Sequence, residues 1–242
     1  MNKDTLEIKN ASVAVSGNKI VSGASLSCHS GEIVLLIGPN GSGKSSLLNS
    51  IFGHPRFSFE GKIILNGSDI SQKSTSDKAE MGLFLSLQHA PEIPGVNLLQ
   101  FLHRAYKIRH GAKDLSVFDF KKKIEEMGEA LKINTSFLGR EINHKLSGGE
   151  KKQSEMLQLA ALRPRFAFLD EIDSGVDVGA TRIVFETIDF LRKNGTGFVL
   201  VTHNTNIAEH ITPDRVYVMK EGAIIREGRS EILAQIQKIG FN

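Results

Sequence analysis

Residues 38–45 read Gly-Pro-Asn-Gly-Ser-Gly-Lys-Ser, directly after the apolar run of residues 33–37 and before a helix-compatible stretch. In this G-x-x-x-x-G-K-S pattern the glycines let backbone N–H groups surround phosphate oxygens, the lysine reaches the β- and γ-phosphates, and the serine hydroxyl binds Mg²⁺. An ordinary glycine-rich turn is the alternative, but the strand before the loop and the helix after it favour phosphate binding. The sequence therefore predicts a nucleotide site. Its phosphate-binding residues are Gly38, Pro39, Asn40, Gly41, Ser42, Gly43, Lys44, Ser45 and Ser46.

Composition limits the classes of protein that this chain can represent. The 242 residues are 24% charged and 40% hydrophobic, which suits one substantial core with a small subdomain. No stretch reaches the ~20 apolar residues that cross a bilayer, and residues 1–5 lack the apolar core of a signal peptide. We therefore expect a cytoplasmic protein without direct membrane insertion. A net charge of +3 is too small to indicate nucleic-acid binding.

Alternating strand and helix signals predict an α/β fold with a mainly parallel core sheet. Residues 166–169 and 197–202 are apolar throughout, as strands covered on both faces are. The first run ends at Asp170 and Glu171, and the second at His203. Ligands of open α/β sheets bind at such carboxyl ends. Residues 6–26 and 62–66 instead indicate a small antiparallel β layer.

The pattern between Gln88 and Ser147 is helical. It predicts a helical subdomain at residues 89–159, inserted into a single domain whose nucleotide-binding core comprises residues 1–88 and 160–242. Asn97 is placed to cap one helix. In the next helix an apolar stripe recurs at Phe120, Ile124, Met127 and Leu131. We expect this stripe to pack in the core, with a ligand groove as the alternative.

Residues 146–150 read Leu-Ser-Gly-Gly-Glu. Ser147 and Glu150 have the spacing of a capping box, so a helix should begin here and end near Pro164. Capping does not explain Gly148 and Gly149, which weaken a helix. Bare backbone N–H groups at a helix N-terminus suit close approach to a phosphate. A second anion site of this kind would be needed if two chains closed over one nucleotide.

The phosphate loop, Gln88, the 146–150 motif, Asp170 with Glu171, Asp177 and His203 resemble the motifs of the ABC ATPases in order and approximate spacing. The resemblance covers nearly the whole chain. In that family two nucleotide-binding domains enclose two ATP molecules head to tail. The resemblance implies the ABC-type P-loop NTPase fold, ATP and Mg²⁺ as cofactors, ATP hydrolysis, and an ATP-dependent homodimer contact.

The resemblance also implies roles for single residues within one chain. Asp170 would hold Mg²⁺ through water, together with the Ser45 hydroxyl. Glu171 would polarise the attacking water, and His203 would contact the γ-phosphate. Gln88 would sense both the γ-phosphate and the metal.

Other residues would act across the dimer interface. Ser147, Gly148 and Gly149 would bind the partner's ATP, with Ser147 and Gly149 on its γ-phosphate. Asp177 would cross the interface.

The chemistry of phosphoryl transfer independently requires such groups. Its loose transition state leaves the protein mainly to position water and to compensate charge. Asp170 and Glu171 are adjacent at a strand end, where successive side chains diverge. One can therefore face a metal and the other a water molecule. Helix capping or simple solvation is the alternative role for this acidic pair.

Finer matches resemble the SufC-type ATPases of the SUF iron-sulfur cluster assembly system. They are the D-E-x-D-S-G form of residues 170–175, the E-I-P-G-V segment at residues 92–96, the E-K-K at residues 150–152, and the I-x-P-D-x-V at residues 211–216. This resemblance implies a partner scaffold of the SufB/SufD type, on which the cluster is assembled. The single Cys28 agrees, because one thiol cannot supply the ligands of a cluster. We expect Cys28 to be a small buried apolar residue.

The family pattern is not followed everywhere. Residues 10–25 contain no aromatic side chain to stack on adenine, so Val13 or Val15 could offer only apolar contact there. Gln153 stands where the family motif often continues with arginine. Two other functions remain open. The chain could be the ATP-binding subunit of a membrane transporter, or a non-catalytic ATP-gated clamp, although residues 88–147 are too few for the coiled coil of such clamps.

Overall fold

The computed structural model describes residues 3–87, 91–172 and 178–241. Its strands are β1 (Thr5–Val15), β2 (Asn18–His29), β3 (Ile33–Ile37), β4 (Ser58–Leu65), β5 (Ser68–Asp69), β6 (Leu83–Ser86), β7 (Ile93–Asn97), β8 (Glu141–Ile142), β9 (Phe166–Asp170), β10 (Gly197–Thr202), β11 (Arg215–Lys220) and β12 (Ala223–Gly228). Its α-helices are α1 (Lys44–Ile51), α2 (Thr75–Glu80), α3 (Leu98–His110), α4 (Val117–Ala130), α5 (Gly148–Leu162), α6 (Val178–Lys193) and α7 (Glu231–Ile239). Short 3-10 helices span Thr135–Gly139 and Thr205–Glu209.

A six-stranded sheet with the order β12-β11-β3-β10-β9-β6 forms the centre of the fold. Neighbouring strands are parallel except for β11 and β12, which are antiparallel. Strands β3, β9 and β10 are buried along their whole length, as their apolar sequences predict. Ile37 pairs with Thr202, and Val201 pairs with Asp170. The carboxyl ends of these three strands therefore lie side by side.

The predicted antiparallel layer is present as a four-stranded sheet with the order β2-β1-β4-β5. Leu6, Ile8 and Ile63 on its inner face share one hydrophobic cluster with Leu47 of α1 and Leu36 of β3. The α/β fold with a mainly parallel sheet, a small antiparallel sheet and helices is thus confirmed.

The region expected to be helical contains α3, α4 and most of α5. The Asn97 side chain accepts a hydrogen bond from the Gln100 N–H at 3.1 Å and caps α3, as predicted. The apolar stripe of α4 packs in the core, since Phe120 and Ile124 are fully buried.

The same region also holds an antiparallel ribbon that the helical pattern does not predict. Strand β7 pairs with β8 through Ile93 with Ile142 and through Asn97 with Glu141. Because β8 is only two residues long, its apolar and polar positions cannot show a strand period. Among the residues that the model describes, no helix combines the length and apolar character needed to cross a bilayer.

Candidate nucleotide site

The phosphate loop leaves the carboxyl end of β3 and leads into α1. The start of β3 is held by Asp214, whose carboxylate accepts a hydrogen bond from the Ile33 N–H at 2.8 Å. The same carboxylate lies 3.0 Å from the guanidinium of Arg192. Asp214 therefore lies at the amino ends of the strands, opposite the phosphate loop. It supports β3, the strand that leads into the loop.

At two positions of the loop, the backbone geometry requires glycine. A Cβ on Gly38 would lie 2.0 Å from the carbonyl oxygen of Met219, so no larger residue fits there. Gly43 has a φ of 101° and precedes α1 as its N-cap residue. This conformation is accessible to glycine and strained for other residues. The first amides of an α-helix have no acceptor within the helix, and an anion is favoured at such an N-terminus.

Lys44 is folded inward against the loop. Its ammonium donates hydrogen bonds to the carbonyl oxygens of Gly38 at 2.8 Å and Pro39 at 2.9 Å, and only 6% of the residue is exposed. Burial lowers its pKa, while the nearby Asp170 and Glu171 act in the opposite direction. A buried cation beside bare amides is the arrangement expected for binding phosphate oxygens.

A cavity of about 550 Å³ brings part of the predicted set of residues together. Its walls combine the loop with residues from the ends of two other strands. They are Ile20, Asn40, Gly41, Gly43, Lys44, Ser45, Ser46, Glu171 and His203. The volume lies in the range of small-molecule sites.

Asp170 is the last residue of β9 and is 4% exposed. Burial raises the pKa of its carboxyl group, and a hydrogen bond with Ser45 opposes that effect. Its Oδ1 atom is buried and has no hydrogen-bond partner among the residues that the structure describes. A carboxylate oxygen next to a serine hydroxyl is a donor set that Mg²⁺ prefers, so the residues fit this metal.

Glu171 follows directly, with its backbone in the left-handed region at a φ of 47°. Its N–H donates to the carbonyl oxygen of Val201 at 2.9 Å, which fixes the turn beyond the strand. Its carboxylate oxygen lies 3.3 Å from Nδ1 of His203. Backbone strain at a polar strand end is typical of functional sites. The carboxylate faces the cavity, where it can orient a water molecule.

The 146–150 motif begins α5 as predicted. Ser147 accepts a hydrogen bond from the Glu150 N–H, and the Glu150 carboxylate accepts one from the Ser147 N–H at 2.8 Å, so the capping box is present. Ser147 and Gly148 are exposed, and Gly149 is half-buried. None of the three is among the described residues that line the nucleotide cavity.

Two predicted site residues, Gln88 and Asp177, lie outside the described residues. The apolar adenine contact expected of Val13 or Val15 stays a prediction. Val13 is 1% exposed inside the antiparallel sheet, and neither it nor Val15 lines the cavity among the residues that the model describes. Ile20 lines it instead. No local pattern marks Ile20 for this place, because the contact depends on how β2 packs against the loop: the Ile20 carbonyl oxygen would lie 3.4 Å from a Cβ on Gly43.

The comparisons with known proteins agree with this geometry. Residues 21–174 match the family model described as ABC transporter. A protein of Synechocystis sp. named "Probable ATP-dependent transporter" is 41% identical over 100% of this chain and 96% of its own length. Vegetative protein 296 of Bacillus subtilis is 37% identical over 100% of this chain and 94% of its own length.

Solved structures show the same fold. A nucleotide-free ATP-binding cassette from an ABC transporter superimposes with a TM-score of 0.76 at 25% identity, covering 96% of this chain and 94% of that chain. A dimeric cassette bound to ADP and Pi superimposes with a TM-score of 0.78 at 21% identity, covering 93% and 98%. The chain belongs to the ABC transporter ATP-binding family. It is an ABC-type ATPase, which converts ATP and water to ADP and phosphate.

Proposed function

We propose that this ATPase is the motor subunit of a SUF-type iron-sulfur assembly system. Two copies close head to tail on ATP and reshape a scaffold of the SufB/SufD type. The observation that carries the proposal is the SUF-like segment at residues 92–96, which borders an exposed apolar groove. The D-E-x-D-S-G sequence after β9 supports the same assignment.

The proposed division of labour within the site follows the geometry. Lys44 and the loop amides hold the β- and γ-phosphates, and Ser45 with Asp170 holds Mg²⁺, which supplies charge neutralisation when bound. Glu171 orients the attacking water, and His203, 3.3 Å from that carboxylate, contacts the γ-phosphate.

The remaining predicted residues complete the site in this proposal. Gln88 senses the γ-phosphate and the metal. Ser147, Gly148 and Gly149 bind ATP held by the second copy, and Asp177 crosses the interface. The exposure of Ser147 and Gly148 supports this placement, because such residues are free to meet a partner.

The docking surface is an apolar groove of about 450 Å³ along the edge strand β6. Ile93 of β7 is 39% exposed and Phe101 of α3 is 41% exposed, and both line the groove. Val96, 37% exposed, lies on the same strand as Ile93. Large apolar side chains grouped at an edge favour a protein partner over a solvated turn. An apolar groove of this shape suits a partner helix.

A membrane transporter subunit is the second candidate, and the names of the relatives favour it. The Synechocystis sp. relative is named as an ATP-dependent transporter, and Streptococcus pyogenes relatives at 37% identity are named as ABC transporter ATP-binding proteins. Such a subunit would share every catalytic residue with a SUF motor. The partner that occupies the groove distinguishes the two functions.

The test is to recover the tagged protein from its native cells and identify what it binds. We expect a scaffold complex in the soluble fraction. Replacing Ile93 and Val96 with aspartate should abolish this binding and the stimulation of hydrolysis, while the isolated subunit retains its basal ATP binding. Ile225→Asp is the matched control, since Ile225 is 45% exposed on β12, at the opposite edge of the core sheet. Recovery mainly from the membrane fraction, bound to a multi-span protein through this groove, would replace the SUF assignment with the transporter assignment.

A further inference from the structure

Glu92 immediately precedes the docking strand β7, and its carboxylate binds residues from a distant part of the chain. One of its oxygens is 2.9 Å from the ammonium of Lys151, and the other is 3.3 Å from Nδ1 of His144. The backbone N–H of Lys145 is a further donor. These contacts, the Lys151 hydrogen bond first among them, lower the pKa of Glu92. The carboxylate is therefore charged at neutral pH.

The three residues that contact this carboxylate flank the start of α5 on both sides. His144 and Lys145 come just before Ser147, and Lys151 lies one helical turn after it. The Lys151 N–H donates to the carbonyl oxygen of Ser147 at 2.9 Å. A single carboxylate thus connects the docking strand to both ends of the segment that holds Ser147 and its two glycines.

The turn before α5 is attached to the same part of the chain by a second, independent contact. Asn143 is 4% exposed and has a φ of 56°, a left-handed conformation that asparagine adopts more readily than most residues. Its side-chain amide donates to the carbonyl oxygen of Pro91 at 3.0 Å. The neighbouring Ile142 pairs with Ile93 in the ribbon. Residues 91–93 and 142–145 therefore form one connected unit.

We propose that Glu92 is a positioning residue that couples the docking surface to the start of α5. A partner that moves β7 would move residues 147–149 with it, and so change how well they close over ATP bound to a second copy. The inference rests on the proposed function, because it requires both a docked partner and a nucleotide-enclosing dimer.

A purely structural role for this contact is the alternative. The side chains of Glu92 and Lys151 are 42% and 30% exposed, and exposed ion pairs contribute little to stability. Breaking the pair should therefore leave the fold intact, and its effect should appear in coupling between sites.

The first experiment needs no scaffold. In a Glu171→Gln background we would compare Glu92→Lys, Lys151→Glu and the double charge exchange. Each single reversal should raise the ATP concentration for half-maximal dimerisation by about five- to tenfold, the lower end of a typical coupling between sites. The double exchange should restore it to within about twofold. The matched control exchanges the exposed pair Lys121 and Glu125 on α4, which are 3.5 Å apart, and should change nothing.

The second experiment uses the complex recovered from cells. With Glu92→Gln, the stimulation of hydrolysis at saturating partner should fall about fivefold or more, while the partner concentration for half-maximal stimulation stays unchanged. A loss of partner affinity with full stimulation at saturation would overturn the inference, because it would make Glu92 a simple docking residue. The inference would also be overturned if the single variants dimerised like the parent protein. The same holds if the double exchange were as impaired as the single variants.

A third measurement separates this inference from the proposed function. Hydrogen exchange of amides 147–152 in the nucleotide-free protein should be faster in Glu92→Lys and recover in the double exchange. If no scaffold is found but exchange and dimerisation respond as described, the SUF assignment fails and the coupling remains. If exchange does not respond, the coupling fails whatever the partner is.

Discussion

The phosphate loop positions the ammonium of Lys44 where phosphate is expected to bind. Loop carbonyl oxygens contact its ammonium at 2.8 and 2.9 Å. We expect Lys44→Ala to abolish ATP hydrolysis and to weaken ATP binding severely, because Lys44 is the one charged side chain of residues 38–45. Phosphate release and nucleotide titration measure the two effects. Lys19→Ala, at an exposed position of β2, is the control. Turnover at the wild-type rate in Lys44→Ala would sink the site assignment.

Cys28 is fully buried, with its sulfur 3.6 Å from the carbonyl oxygen of Phe198. Burial raises the pKa of this thiol, so it stays protonated, as expected of a packed apolar residue rather than a metal ligand. We expect anaerobic reconstitution of the isolated protein with iron and sulfide to leave no stoichiometric cluster. Iron and sulfide analysis after gel filtration measures this. A stable cluster on the purified chain would contradict the proposed separation of motor from scaffold.

At the scale of elements, the short helix α2 supports the end of α1. The buried ammonium of Lys78 donates to the carbonyl oxygen of Ile51 at 2.7 Å, and the hydroxyl of Thr75 donates to that of Phe52 at 2.7 Å. These carbonyl groups lack partners within their own helix, as at every helix C-terminus. A positive charge at the C-terminus of α1 also interacts favourably with the helix dipole.

Lys78→Met should therefore destabilise the protein by about 1–3 kcal/mol, because it leaves the Ile51 carbonyl group without its donor. Urea unfolding at neutral pH measures the difference. Lys73→Met, an exposed lysine just before α2, should be close to neutral. Equal stability of the two variants would contradict a capping role for Lys78.

The stability difference should also depend on pH. Burial lowers the pKa of Lys78 in the folded state, so the unfolded chain binds more protons between the folded and unfolded pKa values. The free energy of unfolding of the wild type should rise with pH through that window, which ends near 10.5. Lys78→Met lacks this contribution, so its deficit should be larger at pH 9.5 than at pH 7. If the stability difference between the wild type and Lys78→Met became smaller at higher pH, the predicted direction of the pH dependence would be wrong.

The elements with strong local signals were predictable from the sequence, and those defined by distant contacts were not. The apolar strands, the capping residues Asn97 and Ser147, and the phosphate loop all carry their information within a few residues. The ribbon of β7 and β8 depends on pairing between segments about 45 residues apart. Ile20 was missed for a similar reason, because its place at the cavity depends on how the antiparallel sheet packs against the loop.

At the scale of the whole molecule, the proposed function requires two copies. Glu171 orients water in our proposal and does not hold the metal, so Glu171→Gln should bind Mg-ATP, lose hydrolysis and accumulate as a closed dimer. Gel filtration with and without ATP measures the dimer. Adding Ser147→Arg, which places bulk and charge on the proposed contact, should return the variant to a monomer. A variant that stays monomeric at high protein and ATP concentrations, with scaffold present, would argue against the enclosed dimer.

The contacts of Asp214 bear on how likeness between chains is interpreted. This aspartate belongs to one of the four segments that resemble the SUF pattern, yet its carboxylate holds the Ile33 N–H and the Arg192 guanidinium at the amino edge of the core sheet. The role of Asp214 is structural. Two chains that both have this aspartate begin the strand ahead of the phosphate loop in the same way. This holds whichever partner proteins each chain works with. In our proposal residues 92–96 are the segment that meets the partner. A likeness there is therefore informative about the partner, whereas a likeness at Asp214 is informative about the strand ahead of the phosphate loop.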